Sequence, residues 1–210
     1  MPQLPSRLLL VTDRHQTKER PLLSVLGQAL KAGSFSIQLR ERDLCARDLL
    51  ALAQAIQRLG LPSERDLLIN DRLDIALSLE GAGVHLRSNS LPVAVARRLL
   101  DTRRLLGASV HSVAEALHAE GSGADYVVLG PIYDTPSKAP FGPPLGLTAL
   151  EEAARAVRVP ILAIGGVTAA RARDLRRAGA FGVAVIGAVL AADDVEAKTA
   201  ALLDAVTARA

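Results

Sequence analysis

The chain has 210 residues, room for one domain or at most two small ones, and half of them are hydrophobic, enough for a large core. Aromatic residues make up 2% and the formal charge is +3. So mild an excess, with scattered arginine and few rings for base stacking, argues against a nucleic-acid partner and suits a phosphorylated metabolite. The single cysteine, Cys45, excludes an internal disulfide and a cysteine zinc cluster. No segment reaches the length of a membrane span, and Met1–Ser6 lacks a signal-peptide pattern, so the expected compartment is the cytoplasm with no membrane partner.

In chain order, Arg7–Asp13 reads as a first buried strand and Pro21–Lys31 as a helix stopped by Gly33. Phe35–Leu39 is a second strand running into a charged stretch, Arg40 to Asp43. Cys45–Leu59 is helical and closes at Gly60 and Pro62. Leu67–Ile69 is a third strand ending at Asn70-Asp71, followed by a helix over Arg72–Leu79. Val84-His85-Leu86 is a fourth strand. Ser90 is the expected cap of a helix over Leu91–Leu100, with Pro92 in its first turn. Leu105–Val110 is a fifth strand, and Ser112-Val113-Ala114-Glu115 fits a capping box that starts a helix directly after His111. Ala124–Leu129 is a sixth strand. A polar, Pro-rich segment, Gly130–Gly146, leads to a helix over Leu147–Val157.

The stretch Ile161–Asp194 carries the clearest pattern. Ile161–Ile164 ends in Gly165-Gly166, and a helix opens at Thr168 and closes at Gly179. Gly182–Ile186 ends in Gly187, with another helical start beyond it. Glycine lets backbone N–H groups approach an anion, and an adjacent helix start adds positive dipole. In a (β/α)₈ barrel the loops after the seventh and eighth strands form the usual phosphate site. The stretch therefore reads as a phosphate clamp at the C-terminal end of such a barrel; two ordinary tight turns are the alternative. A final helix covers Asp193–Ala208. Eight strands alternating with eight helical windows, with no composition break, favour a single (β/α)₈ TIM barrel over residues 1–210. An open doubly wound sheet is the rival.

Barrel enzymes place chemistry where strands end. The residues that follow the apolar runs are Gln38, Arg40 and Arg42; Asn70 and Asp71; Arg87, Ser88 and Asn89; Ser109 and His111; and Thr135, Ser137 and Lys138 in the long loop. Alternation points Gln38, Arg40 and Arg42 one way, where a cation can hold a carboxylate or a diphosphate. Each has a plainer reading. Arg40 and Arg42 can pair with Glu41 or Asp43, Asn70 and Asp71 can cap the next helix, and His111 can be a satisfied loop histidine.

The ordered set QLRERD, LINDRLD, GVHLRSNSLP, GASVHS, GADYVVLGPIYDTPSK, PLGL, AIGGV and GAFGVAVIGAV spans nearly the whole chain and resembles the thiamine phosphate synthase/TenI superfamily. The resemblance implies a (β/α)₈ barrel, a homo-oligomer and one of two activities. Thiamine phosphate synthase couples a pyrimidine methyl diphosphate to a thiazole phosphate, releasing diphosphate, with magnesium. The TenI-type tautomerase shifts a proton in a carboxythiazole phosphate to aromatise it, without metal.

By resemblance, Gln38, Arg40 and Arg42 stand where the synthase has Gln-x-Arg-x-Lys. Asn70 and Asp71 match its pyrimidine contact and first magnesium ligand. Its second ligand is an aspartate in a His-Leu-Gly-Gln-Glu-Asp type stretch. Here that stretch is His85-Leu86-Arg87-Ser88-Asn89-Ser90, with no carboxylate and an added cation, which makes the neighbourhood less hospitable to magnesium. Ser109-Val110-His111-Ser112 resembles the TenI stretch whose histidine is the acid/base. Thr135, Ser137 and Lys138 match a loop on thiazole phosphate and diphosphate, and Gly165, Gly166, Ile186 and Gly187 match the phosphate-binding backbone. On balance the expectation is a TenI-type thiazole tautomerase, an isomerase that uses His111, a phosphorylated thiazole substrate and no cofactor. The magnesium-dependent synthase, with Asp71 as metal ligand, is the first alternative. A non-catalytic phosphate-ligand-binding protein is the second.

Overall fold

The computed structural model describes residue 4, residues 6–135 and residues 143–208. Eight four- or five-residue strands close into a parallel barrel in sequence order. They are β1 (Leu8–Val11), β2 (Ser36–Leu39), β3 (Leu67–Asn70), β4 (Gly83–Leu86), β5 (Leu106–Val110), β6 (Tyr126–Leu129), β7 (Ile161–Ile164) and β8 (Gly182–Val185). The ring shuts where β1 pairs with both neighbours, Leu9 standing opposite Ser36 of β2 and Ala184 of β8. This is the expected (β/α)₈ barrel, and the open sheet is excluded.

The helices are α1 (Leu22–Lys31), α2 (Ala46–Gln57), α3 (Leu73–Leu77), α4 (Val93–Leu99), α5 (Val113–Gly121), α6 (Gly146–Ala156), α7 (Ala169–Arg177), α8 (Gly187–Leu190) and α9 (Val195–Thr207). Each longer helix buries one apolar stripe against the sheet: Leu22, Val25, Leu26 and Ala29 on α1, spaced at three and four residues, are the pattern in full. Local capping sets several starts. Thr168 accepts from the Arg171 N–H on α7, and Asp194 accepts from the Ala197 N–H on α9. The expected box at α5 forms: Ser112 accepts from the Glu115 N–H at 3.1 Å, while Glu115 reaches one residue further back than usual, to the His111 N–H at 2.7 Å. Two short 3₁₀ turns, Arg14–Gln16 and Glu64–Asp66, carry no apolar period and were not expected from the sequence.

Apolar residues divide into two clusters. The larger lies between barrel and helices; the smaller fills the barrel itself, with Leu9, Val11, Leu68, Tyr126, Val128, Leu162 and Ala184. Glycines make room inside. A methyl on Gly107 would stand 2.1 Å from Tyr126 Cζ, and one on Gly83 would stand 2.7 Å from Leu68 Cδ2. Small residues thus face large ones across neighbouring strands, which is how a small barrel fills its interior. No helix among the described residues is long and apolar enough to cross a membrane.

Candidate active site

The interior is polar on one half only. β2 to β5 send Gln38, Asn70, His85 and Ser109 inward, whereas the facing strands line the mouth with Val11, Val128, Ile164 and Ile186. Gln38 donates to Asn70 Oδ1 at 3.0 Å, and Asn70 donates on to Asp71 Oδ2 at 3.1 Å. His85 lies deeper, hydrogen-bonded through Nδ1 to the Tyr126 hydroxyl at 2.9 Å and through Nε2 to Ser109 Oγ at 2.8 Å. Burial pushes its pKa down to about 4 and holds the Tyr126 phenol well above its usual range, so both are neutral.

Asp71 is the hub of this wall. Its φ of +60° is an uncommon backbone state for a residue with a side chain, and it aims the carboxylate across the β3–β4 mouth. Oδ1 accepts from the Arg87 backbone N–H at 3.1 Å and from the Ser90 hydroxyl; Oδ2 accepts from Asn70 and from Arg87 Nε. Burial works against this charge, but Ser90 and the backbone and guanidinium of Arg87 outweigh it and hold the carboxyl below its ordinary range. Ser90 therefore does not cap a helix, as the sequence suggests. Its hydroxyl is committed to Asp71, and α4 begins at Val93, three residues later, with Pro92 as its N-cap. Nor do Asn70 and Asp71 cap α3, whose N-cap is Arg72.

Arg40 follows β2, its backbone N–H held by Thr12 Oγ1 at 2.9 Å. The acidic neighbours in its own stretch are taken elsewhere. Glu41 is buried and accepts from the Arg14 backbone N–H at 3.2 Å, and Asp43 makes a two-pronged pair with the Arg14 guanidinium at 2.6 and 2.7 Å. Among the described residues, neither Arg40 nor Arg42 has a carboxylate partner. Burial, then the charge of Arg42, and more weakly that of Arg87, lower the Arg40 pKa, while Asp13 and Glu41 pull the other way. A half-buried guanidinium crowded by two like charges is a site built for an anion.

The glycine loops lie across the mouth, since β3 and β7 are four strands apart around the ring. Gly165 and Gly166 have φ of +99° and +63°. A methyl on Gly165 would stand 2.6 Å from Pro131 Cβ, and one on Gly166 would stand 2.7 Å from the Asp134 carbonyl. Only glycine permits this approach. Among the described residues, the N–H groups of Gly165, Gly166 and Gly187 have no backbone carbonyl partner. Gly187 opens α8, and Gln16 Oε1 leans over it, 2.7 Å from where a methyl would be. His111 is exposed on the loop after β5. Its N–H at Nδ1 donates to the Gly130 carbonyl at 2.5 Å, which leaves Nε2 as the acceptor nitrogen. Thr135 is half-buried at the end of the β6 loop; Ser137 and Lys138 lie outside the described residues.

Sequence reasoning placed Arg87 after the fourth strand but missed that it binds Asp71, and it missed Ser90 as a site residue, because their partner is 16 and 19 positions away. It also undervalued His85. The signal was available: His85 has the inward phase of a strand whose Gly83 has no side chain to point.

A family model described as thiamine monophosphate synthase matches residues 8–189. The thiamine-phosphate synthase of Roseiflexus castenholzii is 46% identical over 199 residues, 95% of this chain and 87% of the relative. That of Methanoculleus marisnigri is 45% identical over 201 residues, covering 96% and 95%. A solved thiamine phosphate pyrophosphorylase from Pyrococcus furiosus superposes with a TM-score of 0.84 at 32% identity, covering 95% of both chains. The chain belongs to the thiamine monophosphate synthase family.

Membership corrects the expected activity. The TenI-type thiazole tautomerase, and with it an isomerase using His111 as acid/base, is overturned by relatives at this identity that carry the synthase name. Two physical facts explain the misreading. The missing carboxylate looked like a lost function, yet Ser90, which stands at its position, and Arg87 hold Asp71 in position. His111 looked like a residue with no task but acid/base work, yet its Nδ1 N–H ties the end of β5 to the end of β6. A small phosphorylated substrate fits the family.

The magnesium site implied for the family does not fit the residues present. All four lone-pair positions of the Asp71 carboxylate accept protein hydrogen bonds, one of them from a guanidinium. Among the described residues, no group of three acidic or imidazole side chains converges. A hard cation needs several free oxygen donors.

Proposed function

We propose that the protein is a thiamine-phosphate synthase, coupling a pyrimidine methyl diphosphate to a thiazole phosphate. What supports this reading is the synthase name carried by relatives 45–46% identical, together with two groups of anion donors at the mouth, one after β2 and one after β7 and β8. A carboxythiazole phosphate also carries two anionic groups, so it is the relatives' synthase names that favour the coupling of two phosphorylated substrates. The arginines Arg40 and Arg42 suit the diphosphate, and the amides of Gly165, Gly166, Ile186 and Gly187 suit the monophosphate.

The chemistry follows from that division. The bond between the pyrimidine methylene carbon and diphosphate oxygen breaks, and diphosphate leaves with the electron pair. The thiazole ring nitrogen supplies its lone pair to the same carbon, and a C–N bond forms. Charge builds on the departing oxygen, beside guanidinium groups fixed before the reaction begins. Preorganised donors of this kind lower a barrier by several kcal/mol when aimed at developing charge, about 3 to 4 for a single donor. Gln38 and Asn70, coupled in one chain of hydrogen bonds, offer amide groups to the pyrimidine. Thr135, Ser137 and Lys138 are assigned to the phosphate-facing loop by family resemblance.

The test is product formation from both substrates. Thiamine phosphate and diphosphate are expected in equal amounts, with no product when either substrate is omitted. Absence of product with both substrates, with and without magnesium, refutes the reading. Tight binding of both substrates without turnover would instead mark a non-catalytic homologue.

A further inference from the structure

The disagreement between the implied metal and the Asp71 surroundings has a positive content. We infer that the Arg87 guanidinium, seated on Asp71, is a built-in cation that takes the place of magnesium in holding the substrate's diphosphate. The inference rests on the synthase reading for the identity of the substrate, but not for the anion site itself.

Four observations converge. Arg87 Nε is bonded to Asp71 Oδ2, which fixes the guanidinium plane at the mouth. Among the described residues neither of its Nη atoms has a hydrogen-bond partner, so the outer edge of the fork is open for an oxyanion. Its charge reaches Arg40, as does that of Arg42, so three guanidinium groups lie near one another, with the Asp13 and Glu41 carboxylates also in range. The carboxylates nearest Arg40 in sequence, Glu41 and Asp43, are held by Arg14 on the neighbouring loop. With the Asp71 oxygens taken up and the Arg87 fork open, the mouth offers a polyanion a fixed guanidinium and offers a divalent ion no free Asp71 oxygen. The pairing with Asp71 also sets the fork in advance, so little side-chain freedom is lost on binding.

Calorimetric titration of inorganic diphosphate into the wild-type protein tests this without turnover. In EDTA, binding is expected, and added magnesium should strengthen it by no more than about threefold. Arg87→Met in EDTA should weaken it by about tenfold or more, the loss of a charged hydrogen bond. The double variant Arg87→Gly/Ser90→Asp removes the cation and sets a second carboxylate beside Asp71. It should gain one Mn²⁺ site by electron paramagnetic resonance and bind diphosphate only with metal. Diphosphate binding by the wild type that requires magnesium, or a stoichiometric Mn²⁺ site in it, overturns the inference. Turnover separates this claim from the synthase reading. Activity that appears only with magnesium sinks the built-in cation and keeps the synthase. Metal-free diphosphate binding with no turnover under any condition keeps the cation site and sinks the synthase.

Discussion

His85 makes the acid side of the stability curve predictable. Its pKa falls from 6.5 to about 4 because the imidazole is fully enclosed between Tyr126 and Ser109. As pH drops below 6.5, the unfolded chain protonates this histidine first, while the folded chain holds it neutral until about pH 4. The unfolded state therefore binds more protons across that window, and stability is lost as pH falls through it. Integrating the two titrations gives a loss of about 2 kcal/mol between pH 7 and pH 5 from this one group. The perturbation is His85→Asn, which keeps a polar side chain in the barrel but has no proton to gain. Urea unfolding of both proteins at pH 5, 6 and 7 should show the variant's profile flatter by about that amount, other titrating groups being common to both. Parallel profiles would refute the reasoning. So would an imidazole signal for His85 that titrates near its ordinary value in the folded protein.

Three further outcomes are expected. Gly107→Ala drives a methyl to 2.1 Å from the Tyr126 ring, so thermal or urea unfolding should show a loss of about 1–3 kcal/mol, recovered in part by Gly107→Ala/Tyr126→Val. Arg40→Met removes a crowded cation with no carboxylate partner among the described residues; stability should hold or rise, while KM for the diphosphate substrate rises about tenfold or more. Lower stability with unchanged KM would contradict it. Gly166→Ala should cost about 1–3 kcal/mol from its left-handed backbone and contacts, and should also weaken inorganic phosphate binding. Gly60→Ala, at φ +88° with no atom within 4 Å, is the matched control and should leave phosphate binding alone.

What the sequence made legible was local. The apolar runs at Leu8–Val11 and Ile161–Ile164, the glycines after β7 and β8 and the box at Ser112 all declare themselves within a few residues. What stayed hidden depends on partners brought together by closure. Glu41 and Asp43 looked like natural partners for Arg40 and Arg42, but Arg14 reaches them from a loop 27 and 29 residues away. Ser90 has every local mark of a helix cap, and only the arrival of Asp71 diverts its hydroxyl. The choice between activities failed for the same reason: an absent aspartate was visible in one dimension, and the arginine lying on its neighbour was not.

The division between sheath and bore has a consequence for how such a protein can change. Most of the grease that keeps the chain folded sits outside the staves, under the helices, where no substrate ever goes. The bore contributes a minor share and is already half hydrophilic. Exchanging the polar residues at its mouth, such as Gln38 and Asn70, should alter chemistry while removing little of that grease, whereas the tightly packed floor at Gly107 and Tyr126 has no such freedom.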